Sequence, residues 1–137
     1  KNQMYIANIN NKKYPSYQNT RKKGNKFYTT TKTFGKYTLL SDKQNPTIKL
    51  INFKNGQWIT NQNKIIIKID DKTSGIKSYT ATLDGEWILM EYNLKKKQIV
   101  YHFKDKKLVG AKHQLEIVVE DNVGNTNTLN ATFYKKE

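Results

Sequence analysis

The feature that most constrains this chain is an Asp84-Gly85 pair set between two apolar segments, Ile76 to Leu83 and Glu86 to Tyr92. An Asp-Gly dipeptide at that place is the strongest short-range signal for a two-residue β-hairpin, because both central residues must adopt positive φ. A two-residue loop also fixes the register, which pairs Leu83 with Glu86, Thr82 with Trp87, Ala81 with Ile88, Thr80 with Leu89 and Tyr79 with Met90. Alternation then puts Tyr79, Ala81, Ile88 and Met90 on a core side. Thr80, Thr82, Trp87 and Leu89 share the opposite side, whose large apolar members suggest that something covers it.

A second β run precedes the hairpin. Lys64 to Asp70 is dense in β-branched residues and aligns Ile65, Ile67 and Ile69 on one face. Asp70-Asp71-Lys72-Thr73-Ser74-Gly75 then supplies the turn formers that reverse the chain. Further along, Ile99, Tyr101 and Phe103 line one face of a strand over Gln98 to Phe103. Leu115, Ile117 and Val119 do the same over His113 to Glu120, and Leu129, Ala131 and Phe133 over Thr126 to Tyr134. Asn93 to Lys97, Lys104 to Lys107 and Asp121 to Asn125 read as turns or solvated loops. Thr47 to Phe53 is a strand with Ile48 and Leu50 on one face, followed by a turn at Lys54 to Gln57 and then Trp58-Ile59.

The first forty residues are less regular. Met4 to Ile9, Lys26 to Thr31 and Phe34 to Leu40 read as short strands, and Asn10 to Asn25 as a long mobile polar loop. Gly35 marks a bulge or a tight backbone approach. Ser41 to Pro46 is polar, and Pro46 holds its predecessor extended, so a joint is expected there. The division is a β-rich segment over 1–42, the end of a preceding domain, and a sandwich over 46–137. With turns recurring every ten residues or so and no apolar pattern at helical spacing, the fold expected is all-β: an immunoglobulin-like or fibronectin-like sandwich of seven strands preceded by a small β-rich segment.

At 137 residues the chain can bury a core without staples, and with no cysteine it has no disulfide, thiol nucleophile or thiolate metal site. No apolar run approaches the roughly 20 residues that a membrane-spanning helix needs. No signal sequence opens the chain, so any such signal is expected upstream of Lys1 and the chain reads as part of a longer protein. The net charge of +14 raises the question of nucleic acid. Against it, Arg21 is the only arginine among 25 basic residues, whereas base and phosphate readers favour the guanidinium fork. The abundance of lysine, asparagine and isoleucine throughout fits an AT-rich coding bias. Nucleic acid is therefore an unlikely partner, and an anionic envelope polymer a better one.

The search for chemistry returns little. His102 and His113 are the only histidines and are expected at the surface or at a sheet edge; HExxH, P-loop and Gly-x-Ser-x-Gly motifs are missing. No catalytic constellation, cofactor site or metal site is assigned. The carboxylates of Asp70-Asp71 and Glu120-Asp121-Asn122 stand at strand ends and read first as turn caps. If those ends met at one pole they could hold calcium through oxygen ligands. Exposed aromatics are the remaining ligand candidates: Trp87 beside Leu89, with Trp58, would make a flat platform for sugar rings. Packing in a core or joint is the commoner fate of such residues.

Several segments occur in a distinctive order: Phe34-Gly35-Lys36-Tyr37, Asp42 with Pro46-Thr47-Ile48, Asp71-Lys72-Thr73-Ser74-Gly75-Ile76, Asp84 through Tyr92, and Asp121-Asn122-Val123-Gly124-Asn125. Together they resemble the C-terminal non-catalytic β-sandwich region of secreted lysostaphin-type zinc metallopeptidases of Gram-negative bacteria, enzymes that cut peptidoglycan cross-links. The resemblance covers most of the chain, and the Asp-Gly-x-Trp hairpin is its narrowest part. The family's zinc ligands lie in His-x-x-x-Asp and His-x-His motifs, which do not occur here, so no catalytic residue carries over. The resemblance implies an accessory module in the cell envelope, periplasmic or on the outer surface. Such a module would position or target an upstream catalytic domain, its partners being that domain and peptidoglycan or another anionic wall polymer. The alternative is a carbohydrate-binding β-sandwich module.

Overall fold

In the computed structural model, residues 3–11 and 13–136 are described, and among them the regular structure is strand apart from one short 3₁₀ turn at Phe103–Asp105. The N-terminal part contains β1 (Met4–Asn8), β2 (Ser16–Tyr17), β3 (Arg21–Lys23), β4 (Lys26–Tyr28) and β5 (Tyr37–Ser41). The remainder contains β6 (Thr47–Leu50), β7 (Gln57–Trp58), β8 (Lys64–Asp70), β9 (Ile76–Leu83), β10 (Glu86–Ile88), β11 (Glu91–Asn93), β12 (Gln98–His102), β13 (Lys112–Asp121) and β14 (Thr126–Tyr134).

Strands β6 to β14 make the two layers of a sandwich, one sheet ordered β10-β9-β13-β14-β7 and the other β11-β12-β8-β6. Between them lie the inward rows expected from alternation. Ile65, Ile67 and Ile69 from β8 meet Leu115, Ile117 and Val119 from β13, with Ile99, Tyr101, Ala131 and Phe133 completing a contiguous core. Every pair is antiparallel except β14 with the two-residue β7, which run parallel. The N-terminal strands form a separate three-stranded sheet, β2-β1-β5, and a β3-β4 hairpin.

The Asp84-Gly85 hairpin has the expected register over Glu86↔Leu83, Trp87↔Thr82 and Ile88↔Ala81. Both turn residues have positive φ, 52° and 81°, as a type I′ turn requires. Beyond Ile88 the expectation of a continuous strand to Tyr92 is wrong. The chain leaves the first sheet at Leu89-Met90 and enters the second as β11, pairing with β12. The change of layer buries Met90 in the core, and the Tyr79 hydroxyl donates to the Met90 carbonyl at 2.8 Å instead of pairing with it in a ladder. One uninterrupted strand in the sequence is thus two short ones in two sheets, and with the two-residue β7 as a further addition the strands from Thr47 onward number nine where seven were expected.

Asn10 to Asn25 also differs from its expected form as a loop. Its β2 pairs Tyr17 with Ala7, and Thr20 Oγ1 accepts a bond from the Ile6 amide, so the segment is held to β1; Lys12 lies outside the described residues. The tight approach expected at Gly35 is present, since a Cβ there would collide with the Asn10 side chain. That closeness lets Asn10 Oδ1 accept from the Lys36 amide at 2.8 Å.

Candidate functional site

The inward row of β13 does not end in apolar residues. His113, Leu115, Ile117, Val119 and Asp121 alternate along one face, and all five are buried. The row of β8 extends in the same way, from Ile65, Ile67 and Ile69 to Asp71 one step past the strand. Each polar residue therefore caps an apolar row, His113 at one end of the sandwich and the two aspartates at the other.

At the aspartate end, a register shift between Glu120 and Asp121 brings Asp121 opposite Ile76 of β9, just before the chain turns into the Asp121–Asn125 loop. Asp121 Oδ1 accepts from the amides of Val123 and Asn125, at 3.0 and 2.8 Å. Asp71 Oδ1 accepts from three successive amides, those of Thr73, Ser74 and Gly75, at 3.0–3.1 Å. Turn capping, the first reading of these carboxylates, is thus what one oxygen of each does. The two loops also bind each other, as the Asn122 amide donates to the Gly75 carbonyl and Asn122 Nδ2 to that of Ser74.

A third carboxylate, not among the strand-end acids that the sequence marks, joins them. Asp42, just past β5, accepts from the Ser74 hydroxyl and amide through Oδ2, at 2.6 and 3.1 Å, and is 1% exposed. Oxygens of Asp42, Asp71 and Asp121 lie within 4.8 Å of one another. Around them, Asn125 Nδ2 donates to the Asp42 and Gln44 carbonyls and to Asp121 Oδ2, while Asn125 Oδ1 accepts from Gln3 Nε2. The Tyr5 hydroxyl donates to the Thr73 carbonyl. These contacts join the N-terminal sheet to the end of the sandwich through a buried polar junction.

Burial is the largest influence on the Asp71 carboxyl. The amides of Gly75 and Thr73 pull its pKa down, but the neighbouring charges of Asp42 and Asp121 add to burial, and the result is pushed up to about 6. The Tyr5 hydroxyl is likewise pushed up, first by burial and then by the Asp42 and Asp71 charges. The other strand-end acids stay outside the cluster: Asp70 pairs with Lys97 at 3.1 Å and Glu120 lies 3.9 Å from Lys77.

The aromatic candidates are arranged differently from expectation. Trp87 is 67% exposed with Leu89 at 62%, so the N-terminal segment does not cover them; it occupies the end of the sandwich instead. Trp58 is also exposed and stacks on Tyr134, with ring centroids 5.1 Å apart. Because Trp87 is on β10 and Trp58 on β7, the two stand at opposite edges of the five-stranded sheet and do not form one platform. His113 corrects the expectation of a surface histidine. It is fully buried, Nδ1 lying 2.7 Å from Asp84 Oδ2 and Nε2 2.9 Å from the Gly110 carbonyl, which ties the hairpin to the start of β13.

No protein-family model matches the chain, and no curated protein does. Two of the solved structures that share its fold are the following. An endo-β-1,4-mannanase from Thermotoga petrophila superposes with a TM-score of 0.56 at 11% identity, over 70% of this chain and 21% of that one. The fibronectin(III)-like modules of Clostridium thermocellum CbhA superpose with a TM-score of 0.50 at 18% identity, over 74% of this chain and 56% of theirs. The chain thus spans well under two thirds of either. At such identities the likeness concerns the fold, which is an all-β sandwich of the fibronectin-like kind. Among the described residues no helix is long and apolar enough to cross a membrane.

Proposed function

We propose that the chain is a non-catalytic accessory module of a cell-envelope peptidase, one that positions or targets an upstream catalytic domain to the cell wall. The observation that carries this reading is the junction at Asp42, Ser74 and Asn125, where buried hydrogen bonds lock the N-terminal sheet onto the sandwich end. A spacer that sets the direction of a neighbouring domain needs a joint of that kind, because a mobile linker transmits no orientation. The resemblance of the Asp71–Ile76, Asp84–Tyr92 and Asp121–Asn125 segments to the tail of lysostaphin-type peptidases supplies the catalytic partner. Charge supplies the attraction to the wall. The residues before Asp42 include Arg21 and eight lysines but no Asp or Glu, so this end of the molecule favours anionic polymers in a salt-sensitive way.

Co-sedimentation with purified peptidoglycan, and with an insoluble neutral glucan, tests the targeting. Retention on peptidoglycan that weakens between low and moderate salt is expected. No retention at low salt would refute targeting. A second reading, a carbohydrate-binding module, is favoured by the exposed Trp87 with Leu89 and by the exposed Trp58–Tyr134 stack. It expects salt-resistant retention on glucan that is lost in Trp87→Ala or Trp58→Ala.

A further inference from the structure

We propose that Asp42, Asp71 and Asp121 form a calcium site that clamps the N-terminal sheet to the sandwich. Three carboxylates within 4.8 Å of one another do not by themselves make a site, since hydrogen bonds to backbone amides hold much of this cluster in place. The decisive atom is Asp71 Oδ2. Oδ1 of the same carboxylate takes three amide bonds, whereas Oδ2 exposes less than 1 Å² and has no hydrogen-bond partner. A carboxylate oxygen shut off from both water and donors is costly to bury, and a cation is what relieves it. Asp71 as a whole is half-buried, while its two companions are fully enclosed, Asp42 at 1% and Asp121 at 0% exposure. Among the described residues no lysine, arginine or histidine forms an ion pair with any of the three.

The donor set indicates which cation. Oxygen ligands alone, without nitrogen or sulfur, select a hard ion. Calcium bonds of 2.3–2.6 Å place opposing ligand oxygens up to about 5 Å apart, so the observed span fits; magnesium bonds near 2.1 Å hold them to about 4.2 Å, and that ion keeps more of its water. The three ligands come from three parts of the chain, the segment after β5, the loop after β8 and the last residue of β13. A bound ion would therefore tie the junction shut independently of what the module binds.

Terbium luminescence and thermal unfolding of the 137-residue chain test this. Tb³⁺ is expected to give saturable emission sensitised by nearby tyrosines such as Tyr5, displaced by Ca²⁺. Excess Ca²⁺ should raise Tm by roughly 5 °C or more over chelator. Asp71→Asn keeps the Oδ1 cap and so should remain folded by circular dichroism, yet lose both responses; Asp105→Asn, outside the cluster, should keep them. Equal Tm in Ca²⁺ and chelator without displaceable emission would overturn the proposal, as would a full calcium response in Asp71→Asn. A Mg²⁺ response equal to that of Ca²⁺ would overturn the choice of ion.

Discussion

Replacing Asn125 by alanine should open the junction between the N-terminal sheet and the sandwich, and its cost can be worked from the bonds lost. The side chain is 4% exposed; Nδ2 donates to Asp121 Oδ2 at 2.8 Å and to the Asp42 and Gln44 carbonyls at 3.0 and 3.2 Å, while Oδ1 accepts from Gln3 Nε2. Two N–H hydrogens serve those three acceptors, so only two donor bonds are counted. The bond to a carboxylate is worth about 2 kcal/mol, and the carbonyl and Gln3 bonds about 1 kcal/mol each. Because neighbouring terms overlap, the expected loss is about 3 kcal/mol rather than the full total. For a domain of this size that lowers Tm by roughly 10 °C. Urea unfolding followed by circular dichroism, in chelator so that metal does not intervene, measures it. Asn130→Ala serves as the control, since Asn130 is exposed on β14 and should shift stability by less than about 0.5 kcal/mol. A loss below about 1 kcal/mol for Asn125→Ala would show that water replaces the side chain and that the junction is not closed.

Other outcomes follow from single sites. Ile67→Ala, at a position with no exposure in the middle of the core, should cost about 3–4 kcal/mol and Ile67→Val about 1 kcal/mol; similar values for both in urea titrations would contradict the close packing described. Gly85 has φ 81° and open space where a Cβ would go, so Gly85→Ala should cost about 1 kcal/mol from backbone conformation alone, and a neutral result would argue against the type I′ turn. The raised pKa of Asp71 fixes the sign of a pH effect in chelator. A carboxyl that holds its proton more tightly when folded contributes stability below its ordinary value near 4 and loses it as pH rises through about 6. The metal-free chain should therefore weaken by about 1 kcal/mol across that window, after allowance for screening of a partly exposed side chain, and Asp71→Asn should flatten the change. Trp87→Ala should leave stability within about 0.5 kcal/mol, because the ring is mostly exposed, so any change it causes in polymer retention is a binding effect.

Much of the sandwich is legible because its information is local. The isoleucines of β8, the alternation of β13 and β14 and the Asp-Gly turn each specify a face or a register within about ten residues, and the structure uses all of them. The layer switch at Leu89-Met90 was not legible, because Ile88 and Met90 are buried and Leu89 between them is exposed, the same alternation that one uninterrupted strand would show. The polar ends were legible in principle. His113, Asp121 and Asp71 all fall on the inward parity of their strands, so extending each apolar row by one step would have marked the first two as buried and Asp71 as half-buried rather than superficial. Asp42 carries no such mark, because no period places a residue that lies between two strands. Its burial is settled by Ser74 and Asn125, which reach it from loops far along the sequence. What positions the two parts of the molecule is therefore non-local, and this has a physical consequence. The sandwich core is stabilised by apolar area and tolerates volume-conserving exchange, whereas the junction depends on a few buried polar atoms whose loss leaves neighbours unsatisfied. Substitutions at the junction should thus alter the angle or rigidity between the N-terminal sheet and the sandwich before they unfold the sandwich itself.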